Sequence, residues 1–541
     1  MAGHSVEAGY DTDVLVVGGG PVGLLLAAEL TLGDAGVIVL ERLTEIDTTI
    51  KAGGLNLTSA EILDRRGLWP AVEEITAAAR AQLEEFRRKT LEEQGAGGGR
   101  EEKRPRVRPA GHFAGITLDA GRIDRDDPEL IGRNFDRAQF LITQQQVEQL
   151  LGERAAELGI DVRRGVMVES FEQDAEGVTV LCADGSRLRA RWLVGCDGGR
   201  SRIRKQAGFE FPGTQPEITA YQAVLEMTGT EPLKPGWNAT DTGVYAFGPI
   251  PGRIVVVSFT GAPADREAPI TQQELQDAIR HVTGAEVTVH GIRVATRFTD
   301  NARQASTYRH GRVLLAGDAA HVNSPFGGQG LNLGFGDAMN LGWKLAAVSR
   351  GEVGPELLDT YTAERHPIGA WVMEWTRAQV AIMRPDPHAR AIRAVTQGLM
   401  ETVDGTTYFA KRMSGVWQRY DLGGGHPLAG SSVPETVFAD GTRLTDHLHA
   451  GKAVLVDQAK AYAATAAGYE DRLTVLALPA ADQGGEAAQG AREGRESATA
   501  FLVRPDGYVA WAAGSEADDE GLVKALRTWL GAPTAAAGHA A

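Results

Sequence analysis

Two cysteines, Cys182 and Cys196, are all that the 541 residues contain. They form no C-x-x-C and no metal-ligand spacing, which excludes a disulfide framework and a zinc site and fits a reducing, cytoplasmic setting. Basic residues are also short: 55 Lys and Arg stand against 71 Asp and Glu, a formal net charge of −16. Nucleic-acid binding depends on cations that neutralise phosphates, so no nucleic-acid partner is expected. No uninterrupted run of about 18 apolar residues occurs, so no membrane span is expected either. The start, MAGHSVEAGYDTD, lacks the charged-then-apolar order of a secretory signal, and residues 1–10 read as a loose tail. No Ser-His-Asp order stands out as a nucleophilic triad, and no repeat at a fixed solenoid period is found.

What the chain does have is a glycine run in an informative setting. In VLVVGGGPVGLLLAAEL, residues 14–30, Gly18, Gly20 and Gly23 fit G-x-G-x-x-G between a β-branched run and strong helix formers. In such a turn the first glycine permits the tight bend, the second lets a pyrophosphate approach the backbone, and the third allows close helix packing. Pro21 and Val22 open the helix, whose free N–H groups and positive dipole end favour an anion. The second strand, Gly36 to Glu41, delivers an acidic residue 23 positions after Gly18, where a ribose hydroxyl needs an acceptor. One such fingerprint is present, so a nicotinamide coenzyme would have to visit the site rather than reside in a second fold.

At this length the chain should divide into roughly three to four units. Residues 80–109 are charge-dense and glycine-interrupted, and read as a solvated helix followed by a loop. FLITQQQVEQLLGERAAELGIDVRRG, residues 140–165, predicts an amphipathic helix. VTVLCADGSRLRARWLVGCDGGRSRIR, residues 178–204, predicts a hairpin turning at Asp184-Gly185 and then a strand ending at Asp197-Gly198. Residues 215–300 are sheet-like, Asp337 to about Met383 is helical with a break at Pro367, and a glycine-rich boundary near 423–434 introduces a small α/β module.

A second ligand signal lies in GRVLLAGDAAHVNSPFGGQGLNLGFGDAMNLGWKLA, residues 311–346. An apolar strand carries Asp318 to its carboxyl end, where open α/β sheets bind ligands. Pro325, Gly327, Gly328 and Gly330 then precede Leu331-Asn332 and another helix N-terminus, suited to an atom that becomes negative during a redox cycle. His321, beside Asp318, reads as a structural residue rather than a proton carrier.

Together, Gly18/Gly20/Gly23 with Glu41-Arg42, Asp197-Gly198, and Gly317-Asp318 with PFGGQGLN resemble the single-component FAD-dependent aromatic hydroxylases, the group A flavoprotein monooxygenases. GGLNLTSAEILDRRG, GHFAGI, RFTDNARQ, GWKLAAV and YTAERHP narrow the likeness to the aromatic polyketide hydroxylases of antibiotic pathways, over about residues 11–535. The resemblance implies an α/β fold. Its parts would be a Rossmann-like FAD-binding domain (11–79, 130–212 and 290–395), a β-sheet substrate domain with the charged insert (80–129 and 213–289), a connector (396–430) and a thioredoxin-like domain (431–535). That last domain lacks C-x-x-C, so packing or support of a homodimer is its expected role.

The resemblance also implies roles. Glu41, with Arg42 beside it, would hold the adenosine ribose, Gln144 the ribityl chain or pyrophosphate, and Asp318 the ribityl hydroxyls. The amides of Gly330, Leu331 and Asn332 would lie along the pyrimidine edge, with Pro325 and Gly328 in the same loop. Asp197 would serve flavin and nicotinamide together. Two positions depart from the family pattern: Thr143 stands where proline often precedes the glutamine, and Lys51 lies near a region where a flavin-contacting arginine is common. The expected reaction uses FAD, NADPH or NADH, and O2, with oxygen transfer from a flavin C4a-hydroperoxide to a flat polycyclic phenol and no side-chain acid or base. Tyr245, Phe247 and Phe259, with Pro325 and Phe326, are the expected pocket residues. Baeyer–Villiger insertion or epoxidation, and a flavin-bound sensor or carrier without turnover, are the competing readings.

Overall fold

The computed structural model describes residues 9–51, 53–78, 81, 85, 108–131, 133, 142–266, 268–423, 425–458, 460–477, 498–514 and 516–534. The charged insert expected at 80–109 lies almost wholly outside the described residues.

The aliphatic run before the glycines forms the strand Thr12–Val17, all six residues of which are buried. A strand buried on both faces belongs inside a parallel sheet. It pairs in parallel with Val37–Glu41 on one side (Val14 opposite Val37) and with Arg187–Gly195 on the other (Leu15 opposite Leu193). Val313–Leu315 and Asp161–Arg164 extend the sheet in parallel at the two sides. Segments separated by hundreds of residues therefore end side by side, and the turns after them converge at one edge.

Two helices cover this edge. Pro21–Leu32 follows the glycine turn, and Gln329–Ser349 follows the PFGGQ loop. They run very close together: a Cβ at Gly342 would stand 2.3 Å from the Glu29 Cβ, and one at Gly33 2.5 Å from the Ala346 Cβ. The helical stretch breaks after Ser349, and the next helix, Asp359–Met383, continues straight through Pro367. The proline penalty of about 3 kcal/mol is outweighed by the burial of Tyr361, Ile368, Val372 and Trp375 on that helix, each worth about 1.5–3 kcal/mol.

The second sheet has the order Gly236–Ala239, Gly243–Phe247, Arg253–Ser258, Thr219–Thr228, Thr288–Phe298, all antiparallel. Thr288–Phe298 is one continuous strand of this sheet and runs across the boundary expected at residue 290. Side chains alternate between its faces. Tyr221, Tyr245, Ile254 and Val256 pack against Leu275, Ile279 and Val282 of the helix Gln272–Thr283. Ala220, Val244 and Val257 face the other way, toward the hairpin Pro109–Phe113/Ile116–Asp119 and the long helices.

In the C-terminal module, Ala453–Asp457 pairs in parallel with Leu473–Leu476 and antiparallel with Ala500–Val503, which pairs with Val509–Ala513. The helix Asp519–Leu530 packs on this sheet. Among the described residues no helix is long and apolar enough to cross a membrane.

Candidate cofactor and substrate site

The three fingerprint glycines are there for different reasons. Gly18 has φ +113°, and a Cβ on it would lie 2.3 Å from the Cys196 carbonyl oxygen; one on Gly23 would lie 1.9 Å from the Gly18 oxygen. Both positions are closed by protein. Gly20, the N-cap of Pro21–Leu32, has nothing within 4 Å of the same point and receives no side-chain cap. The space is open where a phosphate would approach the first helical N–H groups, with Pro21 and Val22 at the helix start.

Glu41 ends the second strand and holds this turn: one carboxylate oxygen accepts the Gly19 N–H at 2.7 Å, the other the Leu43 N–H at 2.8 Å. A carboxylate has about four acceptor sites, so capacity remains for a ribose hydroxyl. Arg42 beside it is exposed. Lys51 pairs with Asp47 at 2.8 Å, and its charge also acts on the Asp318 carboxyl.

Gln144 is the first residue of the helix Gln144–Glu157 and half-buried. Thr143, the departure from the family pattern, N-caps that helix and forms a capping box with Gln146. The cap engages Gln146 and leaves the Gln144 side chain outside it.

Asp197 lies at the end of Arg187–Gly195, its amide nitrogen 3.0 Å from where a Gly18 Cβ would be. One carboxylate oxygen accepts the Arg202 N–H at 2.6 Å; the other is buried with no hydrogen-bond partner. A buried acceptor left unmatched beside the glycine turn is what a cofactor hydroxyl would satisfy.

Asp318 follows Val313–Leu315, open to the water of the cleft and accepting no hydrogen bond from a described residue. The surrounding protein pushes its carboxyl upward, opposed by the charges of His321 and Lys51. Gly330 sits directly above, since a Cβ there would be 3.8 Å from an Asp318 carboxylate oxygen. Gly328, at φ +63°, is the uncapped N-cap of Gln329–Ser349, and its N–H bonds to the Pro325 carbonyl at 3.1 Å. The amides of Gly330, Leu331 and Asn332 lie in the first turn. Asn332 adds a side-chain role: it accepts the Asn56 N–H at 3.0 Å and donates to the Gly328 carbonyl at 2.6 Å, tying the 53–57 segment to the cleft.

Phe326 is buried among Phe298 and Trp237, at ring-centroid distances of 6.0 and 6.4 Å, with Phe259 at the edge of the same cluster. Tyr245 and Phe247 are not in this wall. Strand alternation turns both toward the helix Gln272–Thr283, and the Tyr245 hydroxyl is fixed by the Lys234 N–H at 3.1 Å. Val244 takes the cleft-side face instead, so the expectation for Tyr245 and Phe247 is corrected by one register position.

Beneath the cleft is a fully buried network that the sequence reading did not anticipate. Asp337 accepts from the Gly317 N–H at 3.0 Å and pairs with His321 at 2.6 Å and Arg365 at 2.9 Å. Burial opposes ionisation of Asp337, but His321 and Arg365 hold its carboxyl below the usual range. Arg365 reaches the Tyr420 hydroxyl at 3.2 Å, and Tyr420 stacks on Tyr508 of the C-terminal module at 4.1 Å. The residue preceding Arg365, Glu364, pairs with Lys344 and with Arg504 of that module. The available signal was Asp337, Asn340 and Lys344 at i, i+3 and i+7 on an otherwise apolar helix.

A family model described as the FAD binding domain matches residues 11–376, and one described as the aromatic-ring hydroxylase C-terminal region matches residues 426–533. A 12-dehydrotetracycline 5-monooxygenase/anhydrotetracycline 6-monooxygenase of Streptomyces rimosus is 39% identical over 547 residues, covering 96% of this chain and 99% of that one. The solved structure of OxyS anhydrotetracycline hydroxylase from Streptomyces rimosus superposes with a TM-score of 0.81 at 38% identity, covering 97% of this chain and all of that one. A dialkyldecalin synthase of Streptomyces rugosporus is 35% identical over 529 residues, covering 96% and 98%. With two family models spanning most of its length and relatives matching it almost end to end, the chain belongs to the FAD-dependent aromatic-ring hydroxylases, the single-component flavoprotein monooxygenases.

Proposed function

We propose that this monooxygenase uses FAD, NAD(P)H and O2 to hydroxylate a polycyclic aromatic polyketide intermediate, a flat phenol of the size that the tetracycline-type relatives are named for. The observation that carries this reading is convergence. The open Gly20 turn lies next to Asp197 and its orphaned oxygen, and Val22 of that turn packs on Gly317 beside Asp318. Gly330 of the helix left uncapped at Gly328 stands over the Asp318 carboxylate, with the Phe326–Phe298 pair at the start of the same loop.

FAD, when bound, supplies the electron transfer and oxygen activation that no side chain here can. The chain's own residues bind and shield. The N–H groups after Gly20 receive the pyrophosphate, with Gln144 close by; Glu41 takes the ribose and Asp318 the ribityl hydroxyls. The helix dipole and first-turn amides at Gly330, Leu331 and Asn332 stabilise negative charge on the flavin's pyrimidine edge. Phe326, Phe298, Trp237 and Phe259 exclude water from the face where the aromatic substrate lies flat. An electron-rich phenol needs no protein nucleophile.

The C-terminal module is read as thioredoxin-like on its strand order, second-first-third-fourth with the first pair parallel. Both cysteines lie outside it, so its role is to pack rather than to exchange disulfides. The enzyme is read as cytoplasmic.

An absorption spectrum of the purified protein tests the cofactor, and NADPH oxidation stimulated by a tetracyclic phenol, with a product heavier by one oxygen, tests the reaction. The likeness to a dialkyldecalin synthase, whose name denotes no oxygenation, favours a second reading, in which this chain's site would hold FAD without NADPH-driven turnover. Flavin peaks with no substrate-stimulated NADPH oxidation across a panel of polycyclic phenols would select it.

A further inference from the structure

Gln379 lies on Asp359–Met383 with no exposed surface. A buried primary amide is tolerated only where its polar atoms are matched, and here both are matched by backbone. Its Oε1 accepts the Ala114 N–H at 3.0 Å, and its Nε2 donates to the Phe326 carbonyl at 3.1 Å.

The two groups it joins belong to different walls of the cleft. Ala114 is the corner of the hairpin Pro109–Phe113/Ile116–Asp119, in a left-handed conformation (φ +52°) that side-chain-bearing residues adopt rarely. It is held there from both sides, since Arg393 Nη1 donates to its carbonyl at 2.5 Å. The next residue, Gly115, has Trp237 against it, 3.1 Å from where a Cβ would stand. Phe326 opens the loop that leads to the Gly328 N-cap. A Cβ on Gly327 would stand 2.9 Å from Gln379 Nε2, so the loop rests on the amide without slack.

We propose that Gln379 is a positioning residue: it locks the substrate-side hairpin to the flavin-side loop, so that an aromatic substrate seated against Phe326 and Trp237 sets the position of the helix N-terminus that faces the flavin. The inference rests on the reading of the cleft as a flavin and aromatic-substrate site. It goes beyond binding either molecule, because it assigns one side chain to the coupling between them.

Substitutions separate coupling from packing. Gln379→Leu fills the same space and leaves the Ala114 N–H and the Phe326 carbonyl unmatched. Gln379→Glu keeps the acceptor for Ala114 but, when ionised, sets a second acceptor against the Phe326 oxygen; protonated, it restores both bonds. The titratable and charged groups at this junction are Arg393, from the helix Pro387–Met400; His112, from the hairpin, which burial holds at about 4 and therefore neutral; and Arg377, on the same helix as Gln379 and paired with Glu374.

The test uses the full-length chain, stripped of FAD, with two probes: FAD, followed by flavin fluorescence, and anhydrotetracycline, followed by tryptophan fluorescence. Each affinity is measured alone, and the FAD affinity again at saturating anhydrotetracycline; the ratio is the coupling, typically about 5- to 150-fold where sites communicate. The wild type should show such coupling. Gln379→Leu should keep each separate affinity within about threefold and bring the ratio to about one. Gln379→Glu should lose coupling at pH 8 and regain it toward pH 6, which a packing role would not produce. Unchanged coupling in Gln379→Leu, pH-independent coupling in Gln379→Glu, or a wild type that binds both probes without coupling would each overturn the assignment of Gln379. A wild type that binds neither FAD nor the phenol would instead overturn the reading of the cleft, and this inference with it.

Discussion

Glu364→Gln probes the joint between the flavin domain and the C-terminal module. Glu364 is 5% exposed and receives both terminal nitrogens of Arg504, at 3.0 and 2.8 Å, Lys344 Nζ at 2.9 Å and Asn340 Nδ2 at 2.6 Å. Burial alone would raise its carboxyl, but Arg504 and Lys344 more than offset this and hold it at about 2, against an ordinary 4.5. A tenfold change in proton affinity is about 1.4 kcal/mol, so the difference is worth roughly 3 kcal/mol of stability. Because the folded value lies below the unfolded one, this contribution is complete above pH 4.5 and is lost as pH falls toward 2. The variant should therefore be less stable than wild type by roughly 3 kcal/mol at pH 7, in line with the ~3–5 kcal/mol typical of breaking a buried ion pair. The gap should close to less than half by pH 3. Burial already pushes Lys344 down to about 8, with Glu364 opposing; without Glu364 that amine loses its proton at a lower pH, so the deficit should shrink as pH rises toward 8 and stay level above it. Trp343 and Trp529 flank the Arg504 guanidinium at 5.4 and 4.6 Å, so denaturant unfolding followed by tryptophan emission reports on this joint. A deficit under about 1 kcal/mol at pH 7, or the same deficit at pH 7 and pH 3, would refute the reasoning, which requires the pair's charges to hold the joint.

Gly20→Val should leave folding intact and abolish FAD binding, because its side chain would enter open space that the phosphate needs, whereas Gly23→Ala should destabilise the protein, its Cβ meeting the Gly18 carbonyl; thermal unfolding and flavin content separate the two. Asp318→Ala should purify as folded, nearly colourless protein, and normal yellow occupancy would count against its role. Phe326→Ala should weaken binding of a tetracyclic phenol, while Tyr245→Ala should leave that binding unchanged and cost about 3 kcal/mol of stability as a buried core truncation, checked by fluorescence titration and denaturant unfolding.

The parts of the site that the sequence announced are those whose chemistry depends on backbone shape. Gly18, Gly20 and Gly23 between a β-branched run and a helix, and Asp318 after an apolar strand, each carry a local signature, because tight turns and strand ends constrain residue type over a few positions. The aromatic wall is legible only in part. A strand pattern does not reveal which face meets a ligand and which meets a helix, and Tyr245 and Phe247 fell on the helix side for that reason. Pro367 misled because packing along Asp359–Met383 outweighs its local penalty. The spacing of Asp337, Asn340 and Lys344 marks a polar stripe but not what it meets, and Gln379 carries no spacing signal; their partners, Ala114, Phe326, Gly317 and Tyr420, are brought to them only by the tertiary fold.

The turn Arg504–Gly507 sets a schedule for biosynthesis. Arg504 is buried against Trp343 and Glu364, Asp506 is 1% exposed, and Gly507 lies against Arg65, where a Cβ would stand 2.6 Å from its guanidinium. The nascent chain emerges with Glu364 already made and paired only to Lys344, while its second counter-charge, Arg504, is about 140 residues behind. At roughly 5–20 residues per second, that carboxylate waits about 7–28 s for Arg504. A chain that stops before Arg504 keeps the Glu364–Lys344 pair but lacks the guanidinium that joins the C-terminal module to it.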